Sequence, residues 1–267
     1  MVHLRDTLVQ VAVQVATEAA GLVESTRRTA VRDVATKSSA TDPVTAGDRA
    51  AERLVRTRLA ELRPGEPVLG EEEGADAGSS GDGVCWVVDP IDGTVNYLYG
   101  FPWYSVSVAA QVDGVSVAGA VVEPASGRCW SAARGQGATL DGVPLRVSST
   151  DRLDLTLLAT GFGYRAERRT RQAALISRLL GQVRDVRRTG SAALDLCMVA
   201  AGWVDAFVEH GLNPWDWAAG SLIAEEAGAD VLLPGAGELG GAIFAATPGI
   251  SAQLRNALVA AGAADVE

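Results

Sequence analysis

The stretch that most constrains this chain is the segment Cys85–Tyr97, which reads CWVVDPIDGTVNY. An apolar run over residues 84–88 predicts a short buried strand. We expect this strand to end at Asp89, because Pro90 cannot donate to a sheet ladder and Gly93 permits a tight turn. The acidic residues of the segment therefore stand at the end of a strand.

Asp89 and Asp92 leave this strand end together, with the carbonyl of Ile91 between them. Two carboxylates and a free carbonyl are the hard oxygen ligands that Mg2+ or Mn2+ prefers. Gly93 and Thr94 follow with backbone N–H groups at a turn, which suits a phosphate oxygen. A lone Asp-x-x-Asp is more often a turn in which Asp bonds its own backbone, so both interpretations stay open for these four residues.

Composition limits the classes of function. A chain of 267 residues forms one large domain or two small ones. Its net charge of -10 argues against direct binding of nucleic acid. No apolar run has membrane-spanning length, so no membrane association is expected. Cys85, Cys129 and Cys197 are odd in number and scattered, which predicts free thiols in the cytoplasm.

The first half of the chain predicts two amphipathic helices, over residues 4–26 and 44–62. Thr41 or Asp42 is the expected cap of the second helix. Asp48 lies on the apolar stripe of that helix and is expected to point inward. A carboxylate on a buried face needs a partner, and capping of its own helix is the simpler alternative.

Glu71 directly follows a predicted short strand over residues 67–70, as Asp89 follows its own strand. If the two strands are neighbours, their ends bring Glu71, Asp89 and Asp92 into one cleft. Acidic triplets are usually solvated, and we expect that for Glu73.

The remaining chain predicts a sheet and then alternating elements. Strands over residues 104–111, 115–122 and 128–133 form an antiparallel meander. Beyond a junction near residue 146, strands and helices alternate, which predicts an α/β layered arrangement. The predicted division is into an α+β half over 1–146 and an α/β half over 147–267.

Three features of the second half bear on function. Gly190, Ser191 and Ala192 open a helix whose free N–H groups could hold an anion or a hydroxyl, and capping by Ser191 is an equal alternative. Asp216 is expected to be the N-cap of the next helix, with an oxygen left for a metal. Glu209 follows a predicted strand and faces the same rim if the topology is as expected.

These residues together resemble the inositol monophosphatase family, and the order of the later pieces is similar to the bacterial inositol-1-monophosphatases. The matching pieces are Lys37-Ser38-Ser39 with Asp48, Gly70-Glu71-Glu72, Asp89-Pro90-Ile91-Asp92-Gly93-Thr94, Gly190-Ser191-Ala192-Ala193 and Trp215-Asp216-x-Ala218-Ala219-Gly220.

The resemblance implies an αβαβα sandwich, two or three Mg2+ per site, inhibition by Li+ and a homodimer. It implies that the metals are held by Glu71, Asp89, Ile91, Asp92 and Asp216. It also implies catalytic roles for Glu71, Thr94 and Asp48, and substrate contacts for Gly93, Thr94, Gly190, Ser191, Ala192, Glu209 and Asp216. Lys37, the only lysine in the chain, and Glu72 are further candidates, although drift could equally explain a single lysine.

The expected activity is hydrolysis of inositol-1-phosphate, a small phosphorylated polyol, by a metal-activated water. An aspartyl-phosphate route through Asp89 or Asp92 is the rival mechanism. Histidinol phosphate, a sugar bisphosphate and a nucleotide phosphate remain alternative substrates. Glu209 and a poor supply of Arg and Lys around the motifs argue against a bisphosphate. A non-catalytic role as a regulatory partner of the transcription machinery is the alternative from another class.

Overall fold

The computed structural model describes residues 2–31, 34–37, 43–76, 83–235 and 237–266. Its helices are α1 (Val2–Ala30), α2 (Ala46–Leu62), α3 (Thr94–Tyr99), α4 (Ala166–Leu179), α5 (Ala192–Ala200), α6 (Pro214–Glu226) and α7 (Pro248–Ala260). Its strands are β1 (Val34–Thr36), β2 (Pro43–Thr45), β3 (Val68–Gly70), β4 (Gly74–Ala75), β5 (Val84–Asp92), β6 (Ser105–Val112), β7 (Val115–Val122), β8 (Cys129–Ala133), β9 (Ala138–Leu140), β10 (Val143–Pro144), β11 (Leu157–Thr160), β12 (Asp185–Arg187), β13 (Ala206–Glu209), β14 (Asp230–Leu232) and β15 (Ile243–Ala246).

The first half of the described chain forms an eight-stranded sheet in the order β10-β9-β8-β7-β6-β5-β3-β4. Its centre is the antiparallel meander β6–β7–β8, as predicted. β3 and β5 are the parallel pair in this sheet. Because parallel strands end at the same edge, Glu71 and the acidic end of β5 come to one side of the sheet.

Helices cover both faces of this sheet. α1 and α2 pack on one face, where Leu8, Val15, Val55, Trp86 and Val108 form a continuous buried core. α5 and α6 pack on the other face and bury a second core. These short helices are apolar nearly all round, as expected for helices buried between two sheets.

The second half contributes a five-stranded sheet in the order β12-β11-β13-β15-β14. α5 lies against its inner face, and α7 and α4 pack against its outer face. The layers are therefore helix, sheet, helix, sheet, helix, which confirms the predicted αβαβα sandwich. Strands of the first sheet end at Pro144 and those of the second begin at Leu157, while the division at residue 146 stays a prediction. No helix among the described residues has both the length and the apolar character needed to cross a bilayer.

Three local expectations differ from the structure. β5 does not stop at Asp89 but continues to Asp92, because a register shift against β6 accommodates Pro90 within the bulge. α2 begins one residue after Thr45, whose hydroxyl caps it; the predicted caps Thr41 and Asp42 lie outside the described residues. Asp216 is the third residue of α6 rather than its N-cap, because Pro214 starts the helix and Asn213 is the cap.

Candidate active site

A cavity of about 440 Å3 opens where the two halves meet. Its volume lies in the usual range for sites that bind small molecules. Most sequence-predicted site residues line it, and three more stand directly behind them. The predicted residues on the wall are Lys37, Glu71, Asp89, Ile91, Asp92, Gly93, Thr94, Gly190, Ala192, Glu209 and Asp216. Asp48, Glu72 and Ser191 form the supporting layer.

The bulge in β5 shapes the acidic end of the cavity. Asp89 Oδ1 accepts a hydrogen bond from the N–H of Ile91 at 3.0 Å. This is the local turn that the simpler interpretation of Asp-x-x-Asp predicted, so the turn and the convergence of carboxylates occur together. Asp89 and Asp92 are both almost fully buried, and a buried charge requires compensation.

Gly93 ends the bulge in a left-handed conformation, with φ of 94°. A Cβ atom at this position would stand 3.1 Å from the carbonyl oxygen of Gly190 and 3.2 Å from that of Trp103. Both the backbone angle and the lack of space therefore require glycine here. The close approach brings the start of α3 next to the start of α5.

Thr94 links the cavity to a buried carboxylate on α2. Its hydroxyl lies 3.0 Å from Asp48 Oδ1 and 3.0 Å from the Ile91 carbonyl oxygen. The other Asp48 oxygen accepts hydrogen bonds from the backbone and the hydroxyl of Thr45. Asp48 therefore both caps α2 and contacts Thr94, which joins the two interpretations of this residue. Burial raises the pKa of Asp48, and these hydrogen bonds oppose the rise.

Glu52 fixes the turn that carries Glu71, and no pattern in the sequence indicated this role. Its buried carboxylate accepts hydrogen bonds from the N–H groups of Glu72 at 2.8 Å and Glu73 at 3.0 Å. A Cβ atom on Gly70 would stand 2.2 Å from Glu52 Oε1, so glycine is required beside it. The Gly-Glu-Glu string is thus one structural unit with Glu52.

Lys37 directly follows β1 and reaches the acidic end from there. Its ammonium lies 2.8 Å from Glu71 Oε1 and 2.5 Å from Glu72 Oε1. Burial raises the pKa of Glu72 to about 7 against the pull of Lys37. For Lys37, burial disfavours the charge, but attraction to both carboxylates outweighs it and raises the pKa. Lys37 therefore stabilises the ionised form of its two partners.

Asp92 is held by the N-terminus of α5. Ser191 Oγ donates to Asp92 Oδ2 at 2.6 Å, the Ala193 N–H donates to the same oxygen at 2.7 Å, and the Ala192 N–H donates to Oδ1 at 3.3 Å. The anion at this helix start is thus a carboxylate of the chain itself. Burial raises the pKa of Asp92 only to about 6, because these donors favour the charged form.

Asp216 completes the acidic cluster from α6. Its Oδ2 accepts the N–H of Asn213 at 2.6 Å. Asp89, Asp92 and Asp216 each place one carboxylate oxygen so that all three lie within 4.8 Å of one another. Burial and then repulsion from neighbouring carboxylates, Glu71 first, raise the pKa of Asp89 and of Asp216 well above the usual range.

The donor set fits divalent cations with a preference for oxygen. The charge of Glu71 is one of the causes that raise the pKa of Asp89. Buried carboxylates that repel each other mark a place where a cation stabilises the ionised cluster. The carboxylates that could hold a metal offer oxygen atoms alone, which suits Mg2+, Mn2+ or Ca2+ rather than a thiophilic metal.

Glu209 ends β13 and lines the same cavity. A Cβ atom on Gly161 would lie 1.9 Å from Glu209 Oε2, so the glycine makes room for this side chain. Burial raises the pKa of Glu209 to about 8, although Arg188 attracts the charged form. Asp195, another buried acid that the sequence did not reveal, has a pKa raised well above the usual range by burial and accepts a hydrogen bond from Thr189.

The wall also contains Arg165, Arg168 and Arg188. This differs from the expectation that basic residues are scarce around the site. The motifs themselves contain few, but the loop before α4, the first turn of α4 and the segment before α5 bring arginines in from elsewhere. Gly161 and Gly163, spaced around Phe162 between a strand and a helix, were the signal in the sequence that this loop approaches a site.

The fold and the site together define a class of metal-dependent phosphatases, in which carboxylates of one half meet a carboxylate at a helix start of the other. The model of the inositol monophosphatase family matches residues 4–266, and the chain belongs to this family, which is a family of phosphatases. It is 58% identical over 235 residues to an inositol-1-monophosphatase of Mycobacterium leprae, covering 84% of this chain and 81% of that protein. It is 40% identical over 222 residues to the Nus factor SuhB of Escherichia coli, covering 83% of each. The solved structure of Mycobacterium tuberculosis SuhB superposes with a TM-score of 0.83 at 48% identity, covering 96% of this chain and 97% of that one.

Proposed function

We propose that this phosphatase hydrolyses inositol-1-phosphate to inositol and phosphate in a Mg2+-dependent reaction. The observation that carries the proposal is the convergence of Asp89, Asp92 and Asp216 within 4.8 Å, beside Glu71 in the same cavity. Mycobacterial relatives that are 55% and 58% identical are named inositol-1-monophosphatases, which supports the choice of substrate.

Glu71, Asp89, the Ile91 carbonyl, Asp92 and Asp216 would hold two or three Mg2+. Four ionised carboxylates and a phosphate monoester would otherwise repel each other strongly. When bound, Mg2+ supplies Lewis-acid chemistry that lowers the pKa of water and stabilises a leaving alkoxide.

Thr94 and Glu71 are assigned to orient the attacking water. The Thr94 hydroxyl has one hydrogen, and both Asp48 and the Ile91 carbonyl lie at accepting distance. Whichever takes it, a lone pair of the Thr94 oxygen is left to accept from water. The carboxylate of Glu71 is the second acceptor, and Asp48 acts through Thr94.

Gly93 and Thr94 lie at the start of α3 on the cavity wall, and their N–H groups are assigned to the phosphate oxygens. Glu209, Gly190 and Ala192 are assigned to the hydroxyl groups of the polyol. Ser191 acts through Asp92, because its hydroxyl donates to that carboxylate. Positioning and neutralisation of charge then account for most of the rate, as is usual in phosphoryl transfer.

The decisive experiment measures phosphate release with Mg2+, with and without Li+, from inositol-1-phosphate, histidinol phosphate and fructose 1,6-bisphosphate. We expect inositol-1-phosphate to be hydrolysed, Li+ to inhibit and EDTA to abolish release. Failure to hydrolyse any of the esters with Mg2+ present would exclude the proposal. A single turnover in 18O-labelled water distinguishes the mechanisms, since direct attack puts the label into phosphate and an aspartyl-phosphate route can put it into a carboxyl group.

A role outside catalysis is the second candidate, favoured by the relative named Nus factor SuhB. Four converging acids are not needed for a purely binding role, so we rank it below hydrolysis. Gel filtration of the purified chain with RNA polymerase tests it, and the same column tests the expected homodimer. Free thiols at Cys85, Cys129 and Cys197 agree with the cytoplasmic location that we propose.

A further inference from the structure

The start of α3 and the segment that leads into α5 lie close together, and one amide side chain joins them. Asn96 is the third residue of α3 and is half-buried. Its Nδ2 donates to the carbonyl oxygen of Trp103 at 2.7 Å and to that of Thr189 at 2.8 Å. Both neighbours are carbonyl oxygens, which only accept, so the nitrogen of the amide and not its oxygen must face them.

The second of these hydrogen bonds joins distant parts of the chain. Asn96 and Thr189 are 93 residues apart. α3 follows β5 of the eight-stranded sheet, and α5 follows β12 of the five-stranded sheet. A single amide nitrogen therefore connects a segment that leaves one sheet with a segment that leaves the other.

Two glycines make room for this contact. A Cβ atom on Gly190 would stand 2.9 Å from Asn96 Nδ2 and 3.2 Å from its Oδ1. Gly190 also has a left-handed φ of 99°. Gly93, which leaves space for the carbonyl groups of Gly190 and Trp103, allows the same approach from the side of α3. Side chains at these two positions would push the segments apart.

Thr189 is held by both of its polar groups. Its carbonyl oxygen accepts from Asn96, and its hydroxyl donates to the buried carboxylate of Asp195. Only one residue separates Thr189 from Ser191, whose hydroxyl donates to Asp92 at 2.6 Å. The place of Thr189 therefore influences where α5 presents its donors to Asp92.

The first turn of α3 carries the other part of the site. It begins with Gly93 and Thr94, whose N–H groups are assigned to the phosphate oxygens, and Asn96 lies in the same turn. A shift of α3 relative to α5 would move these N–H groups relative to Asp92. The phosphate would then be misplaced against the cations that Asp92 helps to bind.

We propose that Asn96 is a positioning residue for phosphoryl transfer, whose amide nitrogen keeps the phosphate-binding start of α3 in place relative to the start of α5 that binds Asp92. Asn96 lies outside the described cavity wall and acts through the two helix starts rather than by contact with the substrate. This inference rests on the proposed phosphatase function and adds a residue to the machinery of the same site.

Asn96→Ala tests the inference, because it removes both donors while Ala favours a helix more than Asn does. Calorimetric titration with inorganic phosphate in the presence of Mg2+ should show about tenfold weaker binding, as expected for the loss of one hydrogen bond to a charged group. The kcat for inositol-1-phosphate should fall by about 100-fold, a loss that a misplacement of about 1 Å can cause. Binding of Mg2+ without phosphate should stay close to that of the unmodified protein, because the donors to Asp92 remain.

A merely structural role predicts a different result. Asn96→Ala would then lower the melting temperature in EDTA but leave phosphate binding and kcat unchanged well below that temperature, and this outcome overturns the inference. An equal loss of Mg2+ binding and phosphate binding also overturns it, because the amide would then support the whole site rather than the relation between the two helices.

Two further variants complete the test. Asn96→Ser retains one uncharged donor and replaces Asn96→Ala if that variant does not fold; phosphate binding equal to that of the unmodified protein overturns the inference. Gln253→Ala is the matched control, because Gln253 Nε2 also donates to a backbone carbonyl of a distant segment, that of Asp151 at 3.2 Å, but on the exposed surface. It should bind phosphate as the unmodified protein does, and a loss as large as that of Asn96→Ala would contradict the special place of Asn96.

Hydrolysis of inositol-1-phosphate separates this inference from the proposed function. If the unmodified protein hydrolyses the ester and Asn96→Ala equals it, the inference about Asn96 fails alone. If the unmodified protein hydrolyses no ester, the proposed function fails, and the phosphate titration still tests whether Asn96 joins the two helix starts.

Discussion

Asp92 and Asp89 occupy the same strand end, yet their surroundings differ completely. On the α5 side, Asp92 receives hydrogen bonds from Ser191, Ala192 and Ala193. On the β3 side, Asp89 receives one from its own turn and otherwise faces the carboxyl group of Glu71. The first carboxylate has donors supplied by the chain, and the second has mainly other acids.

This contrast indicates which side of the site depends on a cation. The pKa of Asp92 is about 6 despite burial, because protein donors stabilise its charge. The pKa of Asp89 is raised well above the usual range by burial and then by Glu71, Asp92 and Asp216. Asp92 therefore has a structural role that persists without metal, while ionised Asp89 needs a cation.

The largest expected effect comes from replacing the two acids by their amides. Asp89→Asn and Asp92→Asn should each lower kcat/KM by at least about 1000-fold, because each removes a proposed ligand. In EDTA, the two substitutions should change the melting temperature in opposite directions. Asp89→Asn removes repulsion and should raise the melting temperature. Asp92→Asn turns one of the two acceptor oxygens into an NH2 group and removes the charge that three donors stabilise, so it should lower the melting temperature.

Calorimetric melting of both variants, with EDTA and with Mg2+, measures this contrast. Mg2+ should raise the melting temperature of the unmodified protein through binding to the folded state, and Asp89→Asn should lose most of this gain. Equal destabilisation of both variants in EDTA would remove the distinction between the two sides.

The second largest effect concerns how the free energy of unfolding depends on pH when no metal is bound. The folded protein raises the pKa of Glu209 to about 8, that of Glu72 to about 7 and that of Asp92 to about 6. Groups with a raised folded pKa favour folding below their unfolded pKa, and this contribution is lost as the pH rises through the folded value. Stability in EDTA should therefore fall between about pH 4.5 and pH 8.

Glu209→Gln provides the matched variant for that experiment. It should flatten the fall in this window and make the protein more stable than the unmodified chain at pH 8, but not at pH 4.5. Urea unfolding at several pH values measures the difference. A variant curve parallel to that of the unmodified protein would show that Glu209 does not titrate differently on folding.

The sequence predicted most of the wall of the site and a part of the layer behind it. The apolar patterns located the longer strands and helices but not the short elements β1, β2, β4, β9, β10 and α3. The acidic residues at strand ends predicted which side chains share a cavity. Glu52, Asp195 and Arg168 were not predicted as part of the site, because each lies inside a helix and reaches the site through tertiary packing. Nothing in the local sequence separates such residues from solvated charges.

The error at β5 has a related cause. Pro90 excludes a regular ladder, but a bulge lets the strand continue past it. Asp216 was predicted as a cap because Asp favours that position. Pro214 instead sets the start of α6 two residues earlier, so Asp216 reaches both the Asn213 N–H and the cavity.

Ser191→Ala tests the α5 side, where donors of the protein hold Asp92, with a smaller change. It removes one donor to Asp92 and the side-chain cap of α5. We expect a loss of about 1–3 kcal/mol in the free energy of unfolding, in EDTA and in Mg2+ alike, since a buried acceptor loses a partner. Urea denaturation measures it, with Ser221→Ala as a control hydroxyl elsewhere in the same layer of helices. A loss confined to EDTA would mean that Mg2+, rather than Ser191, holds Asp92 in the working enzyme.

Lys37→Met should have the smallest effect on stability, below about 1 kcal/mol, because its ion pairs remain partly open to solvent. Its effect should instead appear in the pH profile of kcat/KM. Without the ammonium, the pKa of Glu71 rises, so the acidic limb should move to higher pH as Glu71 becomes protonated. Glu72→Gln leaves Lys37 beside Glu71 and should not move that limb upward. Identical profiles for Lys37→Met and the unmodified enzyme would show that bound cations alone keep Glu71 ionised, and the β3 side would then depend on metal even more than the comparison with Asp92 indicates.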